Sequence, residues 1–519
     1  MGRDYRKMTL VLIIISTLMR LIIASSLELS TAEVYYWAYS LKLQLNYFDH
    51  PPIVAWLIRL TTANLLLHSE IFVRLGAIAA AAGSTWLIFK IGTAIYNYQT
   101  GWFAALLYTS SLYGSIIAGA FILPDSPQMF FWLASLLILI KISHCSSIDP
   151  KVTKLWCLFG LMAGLCIMSK IHGVFLWFGV ALYAVLVNRN WLKHPGLYIA
   201  TIISLTIISP IIVWNIQNNF VTYKFHSSRV TVTGAELHIS EFLKELLKVI
   251  FLIANPVNFF LICTSLVWSF KGNVTADKKD VKLILFCSLP LIAVLLFVSL
   301  FRETLAHWSG PAYSCLLIIP AIKLASGMQM QKLKIPVILK FGLVYLITIA
   351  VCEILLTNFY PGTLSDEKNG LNVGRDDLTL DMYGWKEAGE KFDSLYRHDV
   401  SKNMMHSDAP IIVTNWFPAA HIDYYIAYKT KQQTFAIGNV LNLHQYYWMN
   451  QYKNQLQPGD NAYFIVPSNL FNYKTFDVVI NSFEHYEMAL VVSQFRSGVI
   501  CKELYIFRIK GYKKNKPLK

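Results

Sequence analysis

Met8-Thr-Leu-Val-Leu-Ile-Ile-Ile-Ser-Thr-Leu-Met-Arg-Leu-Ile-Ile-Ala-Ser-Ser26 follows Arg3, Arg6 and Lys7. As a helix it is long enough to cross a bilayer, which takes roughly 20 apolar residues. The same pattern can head a secretory signal. Ala24-Ser25-Ser26 is a weak cleavage site, however, and many further apolar runs follow, so the segment reads as a retained first span. Those runs lie at 75–96, 101–122, 127–142, 155–170, 171–187, 196–214, 246–270, 281–301, 310–325 and 335–358, which brings the expectation to about eleven spans. Composition agrees, because 55% of the 519 residues are hydrophobic and 14% are charged. Soluble domains carry about 25% charged residues. The net charge of +15 is no mark of nucleic-acid binding, since Lys and Arg fall in short polar segments between apolar runs, the placement of topology signals.

Those basic residues orient the chain. With Met1 in the cytoplasm, Lys90, Lys141, Lys151, Lys154, Arg189, Lys193, Lys271, Lys278, Lys279, Lys282, Lys323, Lys332 and Lys334 all fall at cytoplasmic ends, as the positive-inside rule requires. Loops 27–74, 123–126, 215–245 and 302–309 and the tail from 359 then face outward. Within the first outer loop, residues 53–67 follow a Pro-Pro pair and read as a helix on the membrane surface, with Trp56 and Arg59 at the interface. A true span there would invert every later loop and put the lysines outside.

After Tyr360 the character changes. Ile411–Thr414, Ala462–Val466, Met488–Val492 and Leu504–Ile509 read as strands and Lys386–Leu395 as a helix, which together make a soluble α/β or α+β domain. The expected organisation is a membrane domain over 1–358, including the outer loop 27–74 with its surface helices, and an extracytoplasmic domain over 359–519. The basic end, Lys510–Lys519, reads as a solvated tail. Seven of the eight cysteines lie in or beside apolar spans and only Cys501 in the tail, so cysteine usage does not reveal the compartment.

The outward loops hold the candidate chemistry. Glu33 and Asp49 lie among aromatic residues beside apolar spans, a setting with little water that suits general-base work; the plain alternative is that they cap helices. Asp125 in Leu123-Pro-Asp125, Lys170 in Met168-Ser-Lys170, Trp214-Asn215, Arg302-Glu303 and His307-Trp308 fall on the same side by span counting. A cavity there would hold acids for catalysis and cations for a phosphate. Snorkelling would account equally for Lys170, and an ordinary loop charge for Arg302. His50, His172, His226 and His307 show no metal-ligand spacing such as His-x-x-x-His, so no metal site is expected, although a divalent ion is compatible with such a cavity.

Glu33-Val-Tyr-Tyr-Trp37, Tyr47-Phe-Asp-His-Pro-Pro-Ile-Val-Ala-Trp56, Leu123-Pro-Asp125, Met168-Ser-Lys170 and His307-Trp-Ser-Gly-Pro-Ala-Tyr313 resemble the bacterial family 39-like membrane glycosyltransferases. These are the protein O-mannosyltransferase and aminoarabinose-transferase type, of GT-C fold. The resemblance runs over roughly residues 8 to 325 and is most specific through Asp49-His-Pro-Pro52, with a weaker echo in Leu380-Asp-Met-Tyr-Gly-Trp385. It implies a polytopic helical membrane protein, a polyprenyl-phosphate sugar as donor, and a protein, lipid A or envelope-glycan hydroxyl as acceptor at the outer face of a bacterial inner membrane. It further implies that Glu33 leads as base, that Asp49 and Asp125 position the substrates, that Lys170, His50 and Arg302 face the donor phosphate, and that Tyr35, Tyr36, Trp37, Trp214, Asn215, His307 and Trp308 line the pocket. Two positions depart from the family pattern. Ala32 stands where an Asp commonly precedes the Glu, so Glu33 or Asp49 must serve as base or the chain is inactive. His50 stands where a Lys is common, which shifts phosphate binding towards Lys170. A transporter is the competing class. Transporters place charges near the bilayer midplane and often show repeated halves, neither of which is visible here, and a catalytically impaired scaffold of the same fold is the other alternative.

Overall fold

The computed structural model describes residues 2–145, 150–231, 237–273, 275–328 and 334–513. Lys332 and the end of the basic tail, 514–519, lie outside the described residues. The chain forms two compact units, residues 1–24 with 44–350, and residues 25–43 with 351–519.

The first unit is helical. Among the described residues of the whole chain, eight helices are long and apolar enough to cross a membrane, from Gly2–Ser26 to Val337–Phe359. The remaining expected spans take other forms. Ile171–Leu186 is a shorter apolar helix, and 246–270 is part of a helix pair bent by 104°. That bend falls at the buried Asn255, whose φ of 73° and ψ of 153° are costly for a residue other than glycine. Side-chain bonds hold it there: the Asn255 amide donates to the Ser110 carbonyl at 2.7 Å and its oxygen accepts from the Asn258 N–H at 2.8 Å. The expected span 101–122 is also interrupted, as helix Tyr98–Ser110 gives way to a π-helical turn over Tyr113–Ile117. Arg20 accounts for this break. Fully buried in the first helix, it donates to the Gly114 and Ser115 carbonyls, each at 3.3 Å, which an unbroken α-helix would keep in its own ladder. Residues 53–67 contain a helix of only nine residues, Ile53–Thr61, too short at about 1.5 Å per residue to span a bilayer.

Helices Glu70–Ile95 and Tyr98–Ser110 cross where Gly92 meets Gly101, and a Cβ built on Gly101 would lie 2.4 Å from the Phe89 carbonyl oxygen. Small residues of this kind let backbones approach, because lipid supplies no hydrophobic drive for helices to pair.

The second unit carries a five-stranded mixed sheet: β1 (Ile411–Val413), β2 (Thr434–Ala436), β3 (Ala462–Pro467), β4 (Phe483–Arg496) and β5 (Val499–Tyr512), in the order β2-β1-β3-β5-β4. β1 runs parallel to β2 and β3, while β5 is antiparallel to β3 and β4. The helix expected at 386–395 extends over Trp385–Ser401 and starts after Gly384, whose φ of 83° favours glycine.

Replacing Gly101 by leucine is expected to cost at least the roughly 1–3 kcal/mol of an overpacked core, because backbone rather than a flexible side chain must yield. A clear fall in the thermal unfolding midpoint in detergent, set against a lipid-facing Leu18→Ala control, measures this.

Candidate active site

Helix Asp125–His144 begins with Asp125, and helix Pro150–Ser169 ends immediately before Lys170. Both side chains are buried, and the Lys170 ammonium donates to both Asp125 oxygens at 2.9 and 2.8 Å. Each charge sits at the helix end its sign favours, the acid at an N-terminus and the base at a C-terminus. The Tyr113 hydroxyl donates to Asp125 at 3.2 Å, and the Gln128 amide reaches the Lys170 carbonyl at 3.4 Å. The π-helical turn thus brings a phenol to the pair, and helix Asp125–His144 supports it twice.

Four histidines surround the lysine. His50 interacts electrostatically with His226, Lys170, His172 and His307. His172 packs on Trp308 with ring centres 5.3 Å apart, and His226 is hydrogen-bonded to the Asp49 carbonyl at 2.6 Å. Burial first, then the neighbouring imidazoles and Lys170, holds His50 well below the usual histidine range. It is therefore neutral at pH 7. An arriving phosphate reverses that preference, because an opposite charge favours the protonated ring. Among the described residues no three His, Cys, Asp or Glu side chains are arranged to hold a metal ion.

Of the residues singled out from sequence, Asp125, Lys170, His50, His307 and Trp308 therefore meet in one place, with the Asp49 backbone bound to a member of the cluster. Elsewhere in the same unit the Trp214 indole donates to Gln44 at 3.2 Å, and Asn215 donates to the Ile211 carbonyl at 3.0 Å while its buried oxygen has no hydrogen-bond partner among the described residues. Arg302 donates to the Ser228 carbonyl at 2.7 Å. Tyr113, His172 and His226 are additions. His172 lies two residues from Lys170 and could have been read with it, whereas nothing local marks His226.

Glu33, Tyr35, Tyr36 and Trp37 belong to the second unit. The Glu33 carboxylate accepts from the Ser30 N–H at 3.0 Å and hydroxyl at 3.1 Å, closing a capping box on helix Thr31–Leu41. Tyr35 packs on Trp416 at 4.7 Å, Trp37 on Tyr424 at 4.8 Å, and Tyr36 lies edge-on to Tyr39 at 5.6 Å. The segment is fastened by an exchange of helix caps. Glu28 accepts from the N–H groups of Trp385 and Lys386 at 2.7 and 3.0 Å, while Asp381 accepts from the Thr31 N–H at 3.0 Å and from the Thr31 hydroxyl. His421 completes the anchor, stacked on Trp385 at 4.3 Å and hydrogen-bonded to the Leu29 carbonyl at 3.1 Å.

A polytopic helical chain with a C-terminal sheet domain is the architecture of the GT-C membrane glycosyltransferases, and comparison with known proteins agrees. Residues 49–214 match the dolichyl-phosphate-mannose-protein mannosyltransferase family. Over 282 residues the chain is 23% identical to the lipid A galacturonosyltransferase RgtD of Rhizobium johnstonii, a match spanning 54% of this chain and 57% of that relative's length. The crystal structure of ArnT from Cupriavidus metallidurans bound to undecaprenyl phosphate superposes with a TM-score of 0.62 at 11% identity, over 96% of this chain and 97% of that one. Its apo form gives 0.59 at 12% identity with the same coverage. The family resemblance read from sequence is borne out, and the chain is an integral membrane protein.

Two outcomes follow from this geometry. Asp125→Asn or Lys170→Met alone leaves one buried charge unpaired and is expected to cost about 3–5 kcal/mol, whereas the double variant recovers much of that loss; a double-mutant cycle on unfolding in detergent measures the coupling. Burial lowers the His421 imidazole from 6.5 to about 4. The stabilisation it contributes is present above pH 6.5 and is lost as pH falls towards 4, because the unfolded chain takes up the proton first. Unfolding of the second unit should therefore lose on the order of 3 kcal/mol over that window, a slope that His421→Asn removes.

Proposed function

We propose that this protein transfers a sugar from a polyprenyl-phosphate carrier to an acceptor hydroxyl at the outer face of a bacterial inner membrane. Its N-terminus lies in the cytoplasm and the domain over 359–519 outside, as the distribution of lysine and arginine supports. The acceptor is lipid A, another envelope glycan or a protein. No nucleotide sugar enters the reaction.

One observation carries this reading above the others: a buried lysine paired to an acid, with the imidazoles of His50, His172, His226 and His307 within electrostatic reach. The lysine and the acid lie within the stretch that matches the mannosyltransferase family. The relative RgtD acts on lipid A by its name, and the similar ArnT fold was solved with undecaprenyl phosphate, both of which support the donor and acceptor classes proposed.

In the proposed step a carboxylate takes the acceptor's hydroxyl proton, the acceptor oxygen bonds to the anomeric carbon, and the bond from that carbon to the phosphate oxygen breaks. The electron pair leaves on the phosphate. Lys170, His50, His172 and His307 offset the charge that develops there, as donors fixed in advance in a dry site. Asp125 holds Lys170 in place. Asp49, joined through its backbone to His226, is one base candidate, and Glu33 is the other.

Purified protein given a polyprenyl-phosphate sugar and an acceptor extract is expected to release polyprenyl phosphate, followed by mass spectrometry. Lys170→Ala and the variant of the true base, Asp49→Asn or Glu33→Gln, should lower turnover by about 10²–10⁴. Unchanged turnover in both carboxylate variants would sink the assignment of the base. Because His50 is neutral in the free protein, kcat/KM should show no histidine-like step between pH 6.5 and 8, and His50→Gln should leave the shape of that profile unaltered.

A further inference from the structure

The second unit contains a cavity that the proposed transfer does not use. In the order β2-β1-β3 the connection from β1 leads to one side, and the connection from β2 returns past β1 to the other. Parallel crossovers are almost always right-handed, so the two connections run over opposite faces of the sheet. The chain leaving β3 passes through helix Tyr473–Asn481 to β4, which is parallel to β3 because both are antiparallel to β5, and it travels away from the direction taken by the chain leaving β1. The two exits therefore part, and such a switch point at the carboxyl ends of parallel strands is where open α/β sheets place their ligands. Here a cavity of about 510 Å³ lies between the ends of β1 and β3. That size is within the roughly 300–1,000 Å³ of small-molecule sites.

The lining identifies the ligand class. Asn415, Asn442 and Asn472 line it together with Phe417 and Phe476, and among the described residues Lys474 is the one charged residue in the lining. Two of these amides are fixed by local structure. The Asn415 oxygen accepts from the Phe417 N–H at 3.2 Å, and the Asn472 oxygen accepts from the Lys474 and Thr475 N–H groups at 3.0 and 3.3 Å. These caps use the amide oxygens, and among the described residues the NH2 groups have no hydrogen-bond acceptor. Amides in fixed positions suit vicinal hydroxyls, and the aromatic rings suit the apolar face of a pyranose. We infer that this crevice is a saccharide-binding site, and that Lys474 gives it a preference for acidic sugars. The site stands on its own geometry and does not depend on the transfer reaction.

The test uses the full chain in detergent micelles, titrated with methyl glucoside, glucuronate and glucose 6-phosphate by calorimetry and saturation-transfer NMR. All three should bind saturably, the acidic sugars at least threefold more tightly. Asn442→Trp places a large ring in the crevice from an exposed position and should weaken binding tenfold or more, while Lys474→Gln should abolish the preference and keep the neutral sugar. Lys170→Ala should leave all three affinities unchanged, which separates this crevice from the membrane site. Absence of saturable binding up to about 10 mM, or binding that survives Asn442→Trp, overturns the site; equal affinity for neutral and acidic sugars overturns the role of Lys474.

Discussion

A charge pair out of water is tolerable only when each partner satisfies the other, and the Asp125–Lys170 pair sets this condition for much of the first unit. To meet it, one helix must start where another ends, so that an N-terminal acid and a C-terminal lysine come within 2.8 Å. The next helix must then start again at once: the Gly173 N–H donates to the Lys170 carbonyl at 3.0 Å, which turns the chain so that His172 falls beside Trp308. Tyr113 reaches the acid only because its own helix is interrupted. An isolated charge on a lipid-facing surface would constrain none of these elements.

Much of the architecture was legible in the sequence because lipid imposes a simple pattern: a long apolar run bounded by polar residues has few alternatives. The strands at 411–413, 462–467, 483–496 and 499–512 were marked by their apolar residues, whereas β2, with three residues, is too short to display a period. The interruptions at 110–117 and 255 were hidden, since their causes, Arg20 and the side-chain bonds of Asn255, act through space. The site was half legible for the same reason. Asp49, Asp125 and Lys170 stood out as charges beside apolar runs, but that Lys170 binds Asp125, or that His226 joins His50, depends on folding across many helices. The segment 27–43 was read as part of an outer loop, because its partners in the sheet domain lie 350 or more residues away.

Glu33 shows how a catalytic and a structural reading of one residue can coexist. Its carboxylate caps the helix that carries it, and a cap fixes the position of the acid as firmly as that of the backbone. The exchange between Glu28 and Asp381 extends the same device to two helices, each closing the other's first turn. Lys502 reinforces this junction, donating to the Leu380 and Tyr383 carbonyls at 3.2 and 2.7 Å with its ammonium 4.4 Å from the Trp385 ring.

That junction also sets a timetable. The Leu29 N–H donates to the Tyr425 hydroxyl, and the two residues are 396 positions apart. At about 5–20 residues per second a ribosome needs roughly 20–80 s to pass from one to the other. For most of that interval helix Thr31–Leu41 has been made while its partners from Asp381 to Tyr425 have not, so the part of the chain holding Glu33 is among the first synthesised and among the last to be secured.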